Sequence, residues 1–233
     1  SGCELPETYE YLDRIRAVIN IGLTWIKPDR GFDYWLKYYN GMLPSPQNRW
    51  CTRHLKIEPY KRYLKGGQPI YSYIALRADE KERKGYNASG GSNIIPVYPF
   101  IEDGIVLNDV FRILFESGLG KPGYSAWKKR SGCYFCFYQS TDEWAGLKKY
   151  HLRLFEKACA YEESHNDGRV YTWRGLKGGK HQFVRDAVAT SESTSCSGAS
   201  GASARNPLDP SLVTSGLTET KLIKRLLNTT RVL

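Results

Sequence analysis

Three cysteines stand far apart in this chain but in similar company. Cys51 lies in Arg49-Trp50-Cys51-Thr52-Arg53-His54-Leu55-Lys56, and Cys133 and Cys136 form a Cys-x-x-Cys in Arg130-Ser131-Gly132-Cys133-Tyr134-Phe135-Cys136. Both stretches set Arg or Lys beside sulfur. Thiolates are soft ligands and good nucleophiles, so the set suits an iron–sulfur or zinc site, or a place where sulfur chemistry meets an anionic substrate. A nearby cation is expected to lower the pKa of Cys51. His54 could complete a Cys₃His zinc site with the three cysteines. Free thiols or a transient disulfide are the remaining reading.

A second group that could do chemistry is Leu76-Arg77-Ala78-Asp79-Glu80, with Arg83 on the next turn. An arginine at the end of a strand sits at the carboxyl edge of a parallel sheet, where open α/β sheets bind ligands. Its guanidinium can hold phosphate or sulfate through two bonds. The plainer alternative is an ion pair with Asp79 or Glu80.

The elements that must position these residues follow from periodicity. Pro6 and Glu7 open a helix whose apolar stripe is Tyr9, Leu12, Ile15 and Ile19. Residues 22–26 read as a short strand stopped by Pro28. Residues 32–39 read as an aromatic helix ending at Gly41, and 52–64 as a helix disturbed at Pro59. Residues 71–76 and 94–97 read as strands, and 108–116 as a helix capped by Gly118. Ser140-Thr141-Asp142-Glu143 is a capping box, expected to launch one long helix to about His165. Alternating strands and helices imply an α/β layer with a mainly parallel sheet and flanking helices. From residue 189 the chain turns rich in Ser, Ala, Gly and Thr. The expected organisation is therefore a domain over 1–188 and a flexible linker and basic tail over 189–233, with a short basic helix at 217–227.

The 233 residues suit one domain with appendages, and the formal charge of +10 favours anionic partners such as nucleotides or nucleic acid. Apolar runs are too short for a membrane span. The opening Ser1-Gly2-Cys3 shows neither an initiator Met nor a secretory leader, which suggests a processed, trimmed or partial chain. Six cysteines without a dense framework point to a reducing, cytoplasmic setting. Cys3, Cys159 and Cys196 are not expected to be ligands. His151 and His165 read as surface or core-edge histidines.

Five segments in one order carry a resemblance. These are Gly2-Cys3-Glu4-Leu5-Pro6-Glu7-Thr8-Tyr9, Arg49-Trp50-Cys51-Thr52 with Lys56 and Pro59, and Leu76-Arg77-Ala78-Asp79-Glu80 with Arg83. Asn108-Asp109-Val110 and the Cys133 to Cys136 stretch complete the set. Together they resemble the phosphoadenosine phosphosulfate (PAPS) reductase family over residues 2 to 185. That resemblance implies a Rossmann-like fold of the adenine nucleotide alpha-hydrolase type. It also implies an adenine nucleotide, ATP or PAPS-like, and sulfur transfer or reduction of an activated sulfate. Arg49, Lys56, Arg77 and Arg83 would meet the anionic end of the nucleotide or substrate. Cys51, Cys133 and Cys136 would hold a four-iron cluster, with zinc as the alternative. A thiol electron donor or a sulfur-donor protein is the implied partner. DNA is the partner if the chain resembles the family's phosphorothioation sulfurtransferases, and a metal-stabilised binding module is the non-enzymatic reading.

Two departures qualify the resemblance. The family's Ser-Gly-Gly-x-Asp-Ser phosphate loop precedes the first matching segment, so this chain resembles a member lacking the first βα unit. Ser89-Gly90-Gly91-Ser92 reads as an ordinary loop. The thioredoxin-linked reductases carry Glu-Cys-Gly-x-His near their C-terminus, and Cys196 in Ser-Cys-Ser-Gly does not match it.

Overall fold

The computed structural model describes residues 1–19, 22–66, 68–83, 93–164, 168–177 and 180–195. The expectations for Ser89-Gly90-Gly91-Ser92, His165, Cys196 and the helix at 217–227 lie outside them. The chain divides into two units, residues 1–65 with 114–197, and residues 66–113 with 198–233. Among the described residues, no helix is long and apolar enough to cross a membrane.

The first unit is mostly helical. α1 spans Pro6–Ile19, with Glu7 in its first turn and Arg16 in its last, both favourable to the helix dipole. α2 spans Phe32–Tyr38. Asn40 (φ 51°) and Gly41 (φ 76°) take the left-handed conformation that ends it, and the Gly41 N–H donates to the Leu36 carbonyl at 2.9 Å.

The expected helix over 52–64 proves to be three pieces. α3 is Trp50–Thr52, a π-turn covers Arg53–Ile57, and α4 is Glu58–Tyr63. Pro59 has no N–H to give the Leu55 carbonyl, so the α-helical register cannot run through this point. The Glu58 N–H reaches back to the Arg53 carbonyl instead, one residue beyond the α-helical partner.

α7 (Thr141–Tyr150) starts on the expected capping box: the Ser140 hydroxyl accepts from Glu143 N–H, and the Glu143 carboxylate accepts from Ser140 N–H at 2.9 Å. The single long helix expected here breaks at His151 (φ −140°, ψ 59°), and α8 (Leu152–Ala160) follows. The His151 ring turns to Glu7 on α1, with Nε2 2.7 Å from its carboxylate. α9 is Val184–Ser195 and packs on α7. It runs through residue 188, so the expected linker does not begin at 189.

Residues 22–26, expected to be a strand, have no ladder partner and lie as coil. A strand depends on a neighbour for its backbone bonds, and Trp25 is about half exposed (51%). Two short antiparallel ladders complete this unit: β3 (Glu163–Ser164) with β4 (Val170–Tyr171), and β5 (Leu176–Lys177) with β6 (Lys180–His181).

The core of this unit is aromatic. Phe32 of α2 meets Phe135 at 4.3 Å and Trp50 at 5.1 Å between ring centroids, and Phe135 stacks on Trp173 at 5.2 Å. Trp144, Leu147, Val184 and Val188 close it where α7 meets α9. Such rings bury large apolar areas and add offset and edge contacts worth about 0.5–1.5 kcal/mol per pair. Phe135 sits between the two cysteines of the Cys-x-x-Cys, so the core anchors that loop directly.

Gly146 lies inside α7, where glycine is about 1 kcal/mol worse than alanine. A Cβ there would meet Trp127 Cε3 at 2.6 Å. Overpacking of this kind costs about 1–3 kcal/mol, which outweighs the helix gain. Gly146→Ala is therefore expected to lower the urea midpoint of the protein. An unchanged or higher midpoint would show that Trp127 is free to move aside.

The second unit holds the parallel pair β1 (Ile70–Tyr73) and β2 (Ile94–Val97), in register from Ile70 opposite Ile94 to Tyr73 opposite Val97. α5 is Pro99–Glu102 and α6 Leu107–Glu116, followed by Gly118 at φ +74° as its spacing suggests. The protein is thus a mixed α/β chain. Among the described residues, its parallel sheet has two strands rather than the larger layer expected.

Candidate functional site

The Cys-x-x-Cys is a loop pinned at its first cysteine. Glu4 and Cys133 form an antiparallel β-bridge, and the Tyr134 N–H donates to the Cys3 carbonyl at 2.9 Å. The Cys136 N–H closes a turn on the Cys133 carbonyl at 3.2 Å, and Gln139 N–H bonds the Cys136 carbonyl at 3.0 Å. Cys51 comes from α3, whose Trp50 is buried and donates Nε1–H to the Met42 carbonyl at 3.0 Å. Trp50 and Tyr134 are core residues.

Cys51 lies within electrostatic reach of Cys133 and Cys136. Burial pushes the Cys51 thiol pKa up, and Cys133 and Cys136 are both close enough to raise it further, against Lys56 and a bond from Thr52. Burial likewise raises Cys133, again with Lys56 opposing. The expectation that neighbouring cations lower the Cys51 pKa is thus reversed, because desolvation of the thiolate outweighs the charge of Lys56. All of these cysteines are free thiols. Cys133 Sγ lies 3.0 Å from Ser1 Oγ.

Two residues at this site were not legible in the sequence. The Glu4–Cys133 bridge brings Cys3 within reach of Cys133, and burial and then Cys133 push its thiol up to about 12. Lys128 is the second. It is buried (3% exposed), donates Nζ–H to Gln139 Oε1, and stands near Glu143, Cys136 and Cys133. Burial pushes its pKa down, while those three groups hold it up. A lysine hidden beside a thiol pair is a preset counter-charge for thiolate.

His54 is placed otherwise. Its Nε2 lies 2.9 Å from Tyr39 Oη and its Nδ1 2.8 Å from Glu58 Oε2, and its ring stacks on Trp35 at 3.7 Å. A Cys₃His zinc site would require it to give up one of these bonds. Among the described residues, no group of three or more His, Cys, Asp or Glu side chains stands in position to hold a metal ion. The donor set nonetheless has soft-metal chemistry: three thiols from two distant stretches, with Lys56 and Lys128 near.

Arg49 precedes α3 and lies over the Tyr138 ring at 5.7 Å, two residues past Cys136. Lys56 is exposed on the π-turn, yet its charge reaches both Cys51 and Cys133. Arg77 and Arg83 belong to the second unit. β1 ends at Tyr73, so Arg77 lies in the turn after the strand rather than at its last residue. Arg77 Nε is 2.8 Å from Asp79 Oδ1, and Arg83 Nη1 is 2.8 Å from Glu80 Oε1. The Arg77 bond holds the Asp79 carboxyl below its usual range. Both guanidiniums are thus paired within their own turn.

No family model and no solved structure matches the chain. It is similar to two uncharacterized proteins of Methanocaldococcus jannaschii. It is 26% identical to MJ0973 over 170 residues, covering 67% of this chain and 38% of the relative. It is 24% identical to MJ0066 over 196 residues, covering 78% of this chain and 39% of the relative. The chain therefore spans about two fifths of the length of the curated relatives it matches.

Proposed function

We propose that this chain is the thiol-bearing part of a PAPS reductase-like protein that binds an adenine nucleotide and carries out sulfur transfer or reduction of an activated sulfate. The observation that supports the reading is that Cys51 lies within electrostatic reach of Cys133 and Cys136, with Lys56 acting on two of the three. Cys51, Cys133 and Cys136 would hold a four-iron cluster, which would supply electrons or a sulfur-binding iron when bound, or alternatively zinc, which would fix the loop without carrying electrons. Lys56 and Lys128 would offset the negative charge of bound thiolates. Arg49 would meet an anion approaching the cysteine loop. Arg77 and Arg83 would hold phosphate or sulfate after exchanging their bonds to Asp79 and Glu80 for bonds to the anion. The fold consistent with this reading is Rossmann-like, of the adenine nucleotide alpha-hydrolase type, and the setting cytoplasmic.

Anaerobic purification of the whole protein followed by iron, zinc and acid-labile sulfide analysis tests the cysteine site. Iron with sulfide supports the cluster, and zinc supports the alternative. Absence of both leaves the thiols to act directly. The nucleotide half is tested by Arg77→Ala. A charge-assisted bond is worth about 1.5–3 kcal/mol, so ATP or PAPS affinity should fall by about tenfold or more. Unchanged affinity by calorimetry would remove Arg77 from the site.

A second reading, a DNA phosphorothioation-type sulfurtransferase, is favoured by the net charge of +10. It predicts DNA binding that weakens steeply with salt.

A further inference from the structure

The helical unit carries a second feature that the cysteine chemistry does not use. Between α2 and α4 lies a groove of about 360 Å³ lined by the rings of Trp35 and His54 and by Arg30, Lys61, Arg62 and Lys65, together with Asp29 and Glu58. Its two carboxylates already hold basic partners. Asp29 is bonded by Arg62, and Glu58 by His54. Four basic side chains line the groove against these two carboxylates, so its lining is net basic.

The groove's two rings stack on one another. The Trp35 indole and the His54 imidazole lie parallel, 8° apart at 3.7 Å, and His54 is fixed in turn by Tyr39 and Glu58. Tyr34 and Tyr38 stand edge-on to Trp35 at 5.3 and 5.4 Å. They are exposed by 47% and 64%, although tyrosines this accessible on one seven-residue helix contribute little to a core. The Arg30 guanidinium lies over the Tyr34 ring at 5.0 Å.

The pattern continues past Tyr34. That ring lines a second, broader hollow of about 840 Å³, with Asp33, Lys37 and Arg169 among its walls. Along the chain, Arg30, Tyr34, Lys37 and Tyr38 thus interleave two cations with two exposed rings at and before α2. Between residues 22 and 65 there are nine Lys or Arg against three Asp or Glu, so this stretch supplies much of the chain's +10.

Stacking rings interleaved with cations match a polymer of flat bases joined by phosphates. A folded acidic protein would meet the cations but leave the rings without stacking partners. A single nucleotide would occupy one hollow and leave the other. Duplex DNA keeps its bases stacked on one another and away from a surface platform.

We propose that the α2–α4 face binds single-stranded nucleic acid, with bases stacking on Tyr34 and Tyr38 and phosphates bound by Arg30, Lys37, Lys61 and Lys65. This does not rest on the sulfur chemistry, and loss of metal or of nucleotide turnover would leave it standing.

Fluorescence anisotropy of the full chain with labelled single strands of about 12 nucleotides is the test. DNA and RNA strands, the matching duplex and unlabelled AMP serve as separate arms. The expected result is salt-sensitive binding of single strands, tighter than the duplex, with AMP a weak competitor. Tyr34→Ala with Tyr38→Ala should weaken binding by roughly tenfold or more, since each stacked base contributes substantially. Both rings are exposed, so unchanged circular dichroism is expected to accompany the loss. Lys61→Gln with Lys65→Gln should flatten the slope of log affinity against log salt by about 1.4, at ~0.7 for each lost phosphate contact. A preference for DNA or for RNA would name the strand's source. Duplex binding as tight as single-strand binding, full competition by AMP, or tyrosine variants that bind normally would each overturn the proposal.

Discussion

Replacing Glu162 by Ala is expected to cost about 3 kcal/mol of stability, because it leaves two buried backbone donors without acceptors. The Glu162 carboxylate accepts from Trp173 N–H at 3.0 Å and from Val184 N–H at 2.9 Å. Trp173 and Val184 are 3% and 0% exposed, so water does not replace the lost bonds. Trp173 is also the ring on which Phe135 stacks, and Phe135 lies inside the Cys-x-x-Cys. The damage should therefore reach the cysteine loop as well as the fold. Urea denaturation reads the stability, and the alkylation rates of Cys133 and Cys136 read the loop. A variant with wild-type stability would mean that these two amides find other partners.

The same carboxyl sets a pH dependence. Burial raises its pKa from 4.5 to about 7, against the two amide bonds. The folded chain then holds a proton that the unfolded chain has released between pH 4.5 and about 7. Stability contributed by Glu162 is full below that window, falls as pH rises through it, and levels off above. Glu162→Gln should remove this slope while other groups continue to titrate.

The second large effect is on the thiol site. If the three cysteines hold one metal group, Cys51→Ser should lower the metal bound by the anaerobically purified protein by about tenfold or more, and Cys133→Ser and Cys136→Ser should match it. Cys159→Ser is the control. That cysteine is buried on α8 and packs in the core, and its thiol is influenced by Arg185, Glu162 and Glu156 rather than by the three site cysteines. Lys128→Met should give a smaller loss, since it removes counter-charge and keeps every sulfur. Metal retained in full by Cys51→Ser would confine the site to the Cys-x-x-Cys.

What the sequence made legible follows the range of the interactions. α1, α2, α6 and the Ser140–Glu143 capping box form as their patterns suggest, because their signals act within one or two turns. The break at His151 was not legible, because it goes with a bond to Glu7, far away in sequence. The coil at residues 22–26 has strand-like composition, but a ladder needs a neighbour that composition does not provide. Near Pro59 a disturbance was legible, whereas its form, a π-turn ending just before the proline, was not. At the candidate site, Cys51, Cys133 and Cys136 stood out by type and flanking charge. Cys3 and Lys128 did not, because their relevance comes from the Glu4–Cys133 bridge and from burial beside Gln139.

The central claim is that Cys51 shares one pocket with Cys133 and Cys136. Mild diamide oxidation of the metal-free protein, followed by peptide mapping of the disulfides, addresses it most directly. The account predicts linked peptides joining Cys51 to Cys133 or to Cys136, formed at low oxidant and independent of protein concentration. Closure of Cys133 on Cys136 alone, with Cys51 recovered as a free thiol at every oxidant level, would contradict it.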